Sequence, residues 1–242
     1  MDLTRDFIEK IDEMTSPETI TVGKMEYSKN KLYPILPLRP KPLETKSLSS
    51  IVDYLTKNVD SNKPDNILIH VVDEETVKVY SRIAYYARDR ENYIEATAPL
   101  PAITFNHFMD REAFNIMLQS CFKNLGDREV VLRVIGSISI DQSTGVEVED
   151  DGVTQNVEAK AGAVLKTKVT VPNPTKLAPF RTFTEIEQPT SEFVLRINKE
   201  MKVALFTADG GAWKQEAMKN IKAFLQGKLS GENGSCPYTI IA

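Results

Sequence analysis

Four stretches of this 242-residue chain carry side chains whose types and spacing could do chemistry. The first holds Glu147, Glu149, Asp150 and Asp151, carboxylates crowded enough to repel one another unless a cation or water screens them. A hard divalent cation prefers such oxygens, and Mg²⁺ commonly takes only one or two from the protein. Metal-assisted phosphoryl transfer would follow, with Asp209 as a further carboxylate and Arg181 or Lys214 on the phosphate. The structural alternative is a hairpin turn at Asp150-Asp151-Gly152, with Glu147 and Glu149 sharing one solvent face of a strand.

The second stretch is Arg181-Thr182-Phe183-Thr184-Glu185-Ile186-Glu187-Gln188-Pro189. Written as a strand, it puts Arg181, Phe183, Glu185 and Glu187 on one side. Arg181 then joins an exposed ion ladder with Glu185 or Glu187, or holds a phosphate or carboxylate ligand. The third is Asp209-Gly210-Gly211-Ala212-Trp213-Lys214. Glycines before a helix leave backbone amides for an anion, and Lys214 adds charge. The P-loop spacing GxxxxGK[ST] is missing, and Asp209 as a cap on a tight strand-to-helix turn explains the same residues. In the fourth, Tyr85, Tyr86, Arg88 and Arg90 stand between Tyr80, Arg82 and Tyr93. Alternating rings and cations suit stacked, unpaired bases and their phosphates, or else simple amphipathic packing.

Nucleophilic catalysis has no comparable signal. GxSxG is absent, and His70 and His107 lack a distinctive Ser, Cys or Asp context. Cys121 and Cys236 form no CxxC pair. The reading therefore assigns no catalytic residue, no metal ligand and no cofactor. The candidate ligand-binding residues are Asp150, Asp151, Gln155, Arg181, Glu185, Asp209, Trp213 and Lys214, and the candidate nucleic-acid residues are Tyr85, Tyr86, Arg88 and Arg90.

Amphipathic spacing predicts helices over 3–14, 47–58 and 111–124, and one following Gly211. Strand-like runs are expected at 66–72, 76–81 and 92–97, the first two joined as a hairpin through Asp73-Glu74-Glu75. From Glu129 the apolar period reads as two, so strands are expected from there through Ile140. Further runs follow at 145–149, 153–160, 164–171, 181–187, 192–198 and 202–207. Tyr238-Thr239-Ile240-Ile241 is expected as an edge strand or a subunit contact. The fold class is α+β: a mostly antiparallel sheet or sandwich with helices at the N-terminus, middle and C-terminus. Residues 1–42 read as a helix and a Pro-rich arm (Pro34, Pro37, Pro40, Pro42), 43–229 as one domain, and 230–242 as a tail.

Lys plus Arg is 30 against 34 Asp plus Glu, a net charge of −4, which argues against a strongly basic nucleic-acid coat. Two cysteines argue against a disulfide framework and for a reducing cytoplasm. The start of the chain lacks a basic, then apolar, leader, and no apolar run approaches the ~20 residues of a membrane span. The expectation is a cytoplasmic protein without membrane attachment.

Taken together, Asp150-Asp151-Gly152-Val153-Thr154-Gln155, Asn173-Pro174, Leu177 through Pro189, and Ala208 through Lys214 resemble the YfdQ-like family of phage and prophage proteins, a domain of unknown function. The similarity spans roughly residues 45–228, including Leu48, Tyr54-Leu55, His70-Val71, Val77 and Ser81. It implies a phage source and an intracellular role, and it weights Asp150, Asp151, Gln155, Arg181, Glu185, Asp209 and Trp213. The expected function is a non-enzymatic, homo-oligomeric binding protein acting on a host-defence or phage recombination factor. A single-strand nucleic-acid accessory protein and a metal-dependent phosphoryl-transfer enzyme are the alternatives.

Overall fold

Alternation of apolar and polar residues builds the first sheet. The computed structural model describes residues 4–15, 19–22, 25–28, 39–83, 89–137, 146–150, 155–161, 164–171, 173–231 and 234–242. They divide into two compact units, residues 1–40 with 83–89 and residues 41–82 with 90–242. The first unit contains helix α1 (Arg5–Thr15) and the antiparallel pair β1 (Thr19–Val22) and β2 (Met25–Ser28). Arg39 and Asp89 form an ion pair there at 2.7 Å.

The second unit begins with β3 (Leu43–Thr45) and α2 (Leu48–Thr56), whose N-cap Ser47 accepts a hydrogen bond from the Ser50 amide. β4 (Ile67–Val71), β5 (Thr76–Ser81) and β6 (Asn92–Thr97) pair antiparallel, with β4 and β5 joined as the expected hairpin. β4 buries Ile67, Ile69 and Val71 and leaves Leu68 and His70 half-buried, the period of a strand with one covered face. β3 adds parallel to β6 at one edge.

α3 (Arg111–Cys121) and α4 (Arg128–Ser137) follow. α4 corrects the strand expected from Glu129. Val131, Val134 and Ile135 are buried, whereas Val130 is exposed, which is the i, i+3, i+4 stripe of a helix. A run this rich in valine satisfies both periods locally. Tertiary contacts decide it: Arg128 donates from Nε and Nη2 to the Leu118 and Gln119 carbonyls at the end of α3. Asp127 starts α4 by accepting from the Val131 amide. The preceding Gly126, at φ +62°, lies so near the Lys176 carbonyl that a Cβ would stand 2.3 Å from its oxygen.

β7 (Val146–Asp150), β8 (Gln155–Ala161) and β9 (Val164–Val171) form an antiparallel meander with Asp150 opposite Gln155. β10 (Thr175–Leu177), β11 (Ser191–Ile197) and β12 (Val203–Thr207) form a second three-stranded antiparallel sheet. Both its edges are covered: Met109 bridges Val203 on β12, and Lys123 and Asp127 donate to Ala178 and Lys176 beside β10. α5 (Ala212–Leu229) and β13 (Thr239–Ile241) complete the unit. β13 lies parallel to β4, the edge strand expected of the apolar tail, so the five-stranded order is β13-β4-β5-β6-β3.

Two cores result. In one, Leu48, Ile51 and Leu55 of α2 and Ile221 and Leu225 of α5 cluster with Ile69, Val77, Val79 and Ile94 of the sheet. In the other, Phe114 and Leu118 of α3 and Val131 and Ile135 of α4 cluster with Phe193, Leu195, Val203 and Leu205. The fold is α+β and mostly antiparallel, with helices at the N-terminus, middle and C-terminus. Among the described residues no helix is long and apolar enough to cross a membrane.

Candidate functional site

The site is built by the segment 181–188, which was expected as a strand and is a chain of turns. Gln188 explains the difference. Its buried side chain accepts from the Arg181 amide at 3.1 Å and donates to the Phe183 carbonyl at 2.9 Å, taking up bonds a strand would give to a neighbour. Phe183 and Ile186 turn together into the core beneath α2 and α5. The Thr182 hydroxyl donates to the Glu74 carbonyl, tying the segment to the β4–β5 turn. Glu185 leaves the site altogether. It accepts from the Leu48 amide (3.0 Å), the Ser49 amide (2.8 Å) and the Ser49 hydroxyl (2.7 Å), capping α2. The ion ladder from Arg181 to Glu185 therefore does not form.

Arg181 is only 8% exposed. Its guanidinium carbon stands 3.9 Å from the centre of the Trp213 ring and 5.7 Å from that of Phe193. Nη2 donates to the Ser191 hydroxyl, while Nε is buried and has no hydrogen-bond partner. Burial pulls the Arg181 guanidinium down to about 10, against the opposing pull of Asp209 and Glu74. Backbone geometry places its neighbours. Gly210 and Gly211, at φ +61° and +83°, turn the chain from β12 into α5 in a conformation that costs a Cβ-bearing residue energy. The Asp209 Oδ1 accepts from the Gly211 amide at 3.1 Å, and its Oδ2 is buried without a partner. Burial pushes the Asp209 carboxyl up, but nearby Ser191, the Gly211 amide and Arg181 outweigh it and hold the group below the usual carboxylate range.

Trp213 and Lys214 both come from the first turn of α5, and both line the same cleft. The Lys214 Nζ meets the Glu74 Oε1 at 2.5 Å, and that bond holds the ammonium above the usual lysine range. Burial first, then Glu74 and Asp73, pushes the neighbouring Glu75 carboxyl up. Between these groups lies a cleft of about 260 Å³. One wall is apolar, from Leu100, Pro101, Ile103 and Phe105. The other carries Arg181, Trp213, Lys214 and Glu74. Phe105 stacks on Phe193 at 5.4 Å, so the apolar wall is continuous with the second core.

Of the sequence candidates, the fold thus gathers Arg181, Asp209, Trp213 and Lys214 into one constellation. Asp150 and Gln155 stand opposite each other at the paired ends of β7 and β8. Asp151, Tyr85, Tyr86 and Arg88 lie outside the described residues. Arg90 is exposed and donates to the Ser81 carbonyl at 3.0 Å. Among the described residues, no group of three or more His, Cys, Asp or Glu side chains is placed to hold a metal. Both cysteines are free. The sequence reading missed Glu74, Ser191 and the Leu100–Phe105 wall. The adjoining acids Asp73-Glu74-Glu75 were the available signal, read only as a turn. Comparison with family models, curated proteins and solved structures finds no match to this chain.

Proposed function

We propose that the chain is a phage-encoded binding protein, not an enzyme, and that the Arg181–Trp213 cleft is its recognition surface for a host or phage protein. The observation that carries this reading is a buried cation, lying over the Trp213 ring, in a cleft lined also by apolar side chains. A volume of about 260 Å³ suits one anchoring side chain better than a whole cofactor, since small-molecule sites occupy roughly 300–1,000 Å³. Buried aromatic and arginine groups at such a pocket are the usual energetic centre of a protein interface. The phage source and intracellular setting rest on the sequence resemblance.

Site-specific photocrosslinking tests the surface. A photoreactive residue at Lys214, at the mouth of the cleft, is expected to label a discrete partner in phage-infected cells. The same probe at the exposed Lys219 is expected not to, because five residues along α5 rotate it by about 140°. Equal labelling from both positions, or none from Lys214, overturns the cleft as the recognition surface.

A further inference from the structure

We infer that the group this cleft takes is a monocarboxylate on a short apolar stem, an inference that rests on the cleft being the recognition surface proposed above. A guanidinium offers five N–H donors and no acceptor. Among the described residues Arg181 spends one of them, on Ser191, and forms no ion pair. Its neighbouring carboxylates act on it through charge without a direct ion pair: Glu74 pairs with Lys214, and Asp209 gives Oδ1 to the Gly211 amide while its buried Oδ2 has no hydrogen-bond partner. A buried cation held without a direct ion pair is costly. A planar carboxylate supplies two oxygens that match the fork of a guanidinium.

The surroundings select among anions. Glu74, Glu75 and Asp209 all bear on the site, so each added negative charge meets repulsion. A single charge is tolerated better than the near-double charge of a phosphate. Leu100, Pro101 and Ile103 offer no hydrogen bonds from their side chains, and they reward an apolar stem. The same chemistry is supplied by the C-terminal residue of a peptide or by a free small acid.

The chain has one tryptophan, and it lies on Arg181, so its fluorescence reads this site alone. The 242-residue chain is titrated with 3-phenylpropionate, with 3-phenylpropionamide, with inorganic phosphate, and with a short peptide ending in Phe, its C-terminus free or amidated. The expected result is a saturable change with 3-phenylpropionate and binding about tenfold or more weaker with its amide, the usual effect of losing a charged hydrogen-bond partner. Tighter binding of the free-ended peptide identifies a chain terminus as the source. Tighter binding of the small acid identifies a free acid.

Equal binding of acid and amide overturns the carboxylate inference while leaving the cleft reading intact, and so does a preference for phosphate. No saturable response to any probe overturns it as well, and the Lys214 crosslink then decides the cleft reading separately. Arg181→Lys, which keeps the charge and loses the fork, is expected to weaken acid binding about tenfold or more. Ile103→Phe narrows the apolar wall without touching the guanidinium, and is expected to abolish acid binding even should the Arg181 variant fail to fold. Undiminished acid binding in Ile103→Phe overturns the inference.

Discussion

Arg181 is held by rings and one hydroxyl where a buried cation ordinarily has a carboxylate. On the proposed reading such a residue serves binding more than folding. Arg181→Met, which keeps the volume and removes the charge, is therefore expected to change unfolding stability by less than about 1 kcal/mol, or to raise it, as replacing under-compensated buried charge often does. Denaturant unfolding checks this, and a loss of more than about 3 kcal/mol would make Arg181 a structural residue. Asp209 gives a pH prediction. Its folded carboxyl lies below the usual range, so its stabilisation is complete above the unfolded value near 4 and fades as pH falls through the depressed one. Wild type is expected to lead Asp209→Asn by a constant margin near neutrality, and the margin to shrink on acidification. A margin that is flat down to pH 2 would show that the charge of Asp209 contributes nothing.

At the scale of elements, the motif-like segment 181–188 joins parts of the second unit. Phe183 and Ile186 enter one core, Thr182 reaches the β4–β5 turn and Glu185 caps α2. Glu185→Ala is expected to cost about 1–2 kcal/mol, because two helix amides lose their acceptor. The readout is denaturant unfolding, with acid binding by Trp213 unchanged. A stability change below about 0.3 kcal/mol would mean that water replaces the cap without cost. The segment also shows why its conformation was illegible. Alternation of Arg181, Phe183, Glu185 and Glu187 looks like a strand, but Gln188 satisfies the backbone from within the segment. α4 was misread for the converse reason. Its valines suit a strand locally, and burial of Val131, Val134 and Ile135 against α3 and β11–β12 selects the helix.

For the whole molecule, the sequence reading expects self-association. Phe7, Ile8, Ile11 and Met14 of α1 are exposed, and a helix of eleven residues is marginal alone in water. Sedimentation equilibrium is expected to give a multiple of the 27.2 kDa chain mass, and Ile11→Glu to return it to one chain. A single-chain mass for the wild type ends the oligomer reading. Elements of two sheets carry the cleft: Glu74 comes from the β4–β5 turn of the five-stranded sheet, Arg181 from the segment between β10 and β11, Asp209 from the turn after β12, and Trp213 and Lys214 from the start of α5.

Local periodicity was enough to read α2, α3, α5, the β4–β5 hairpin and the strand β6, because each buries one face whose spacing is written along a single stretch of chain. Residue chemistry singled out Arg181 as a cation for a carboxylate or phosphate, and Asp209 and Lys214 around glycines before a helix, and the family resemblance added weight to Trp213. Only the tertiary structure decided that these four meet, that Glu185 leaves them for α2, and that Glu74 and the Leu100–Phe105 wall complete the cleft. Those outcomes depend on contacts between residues far apart in sequence, and no local pattern encodes which distant partner will satisfy a buried charge or a bare helix end.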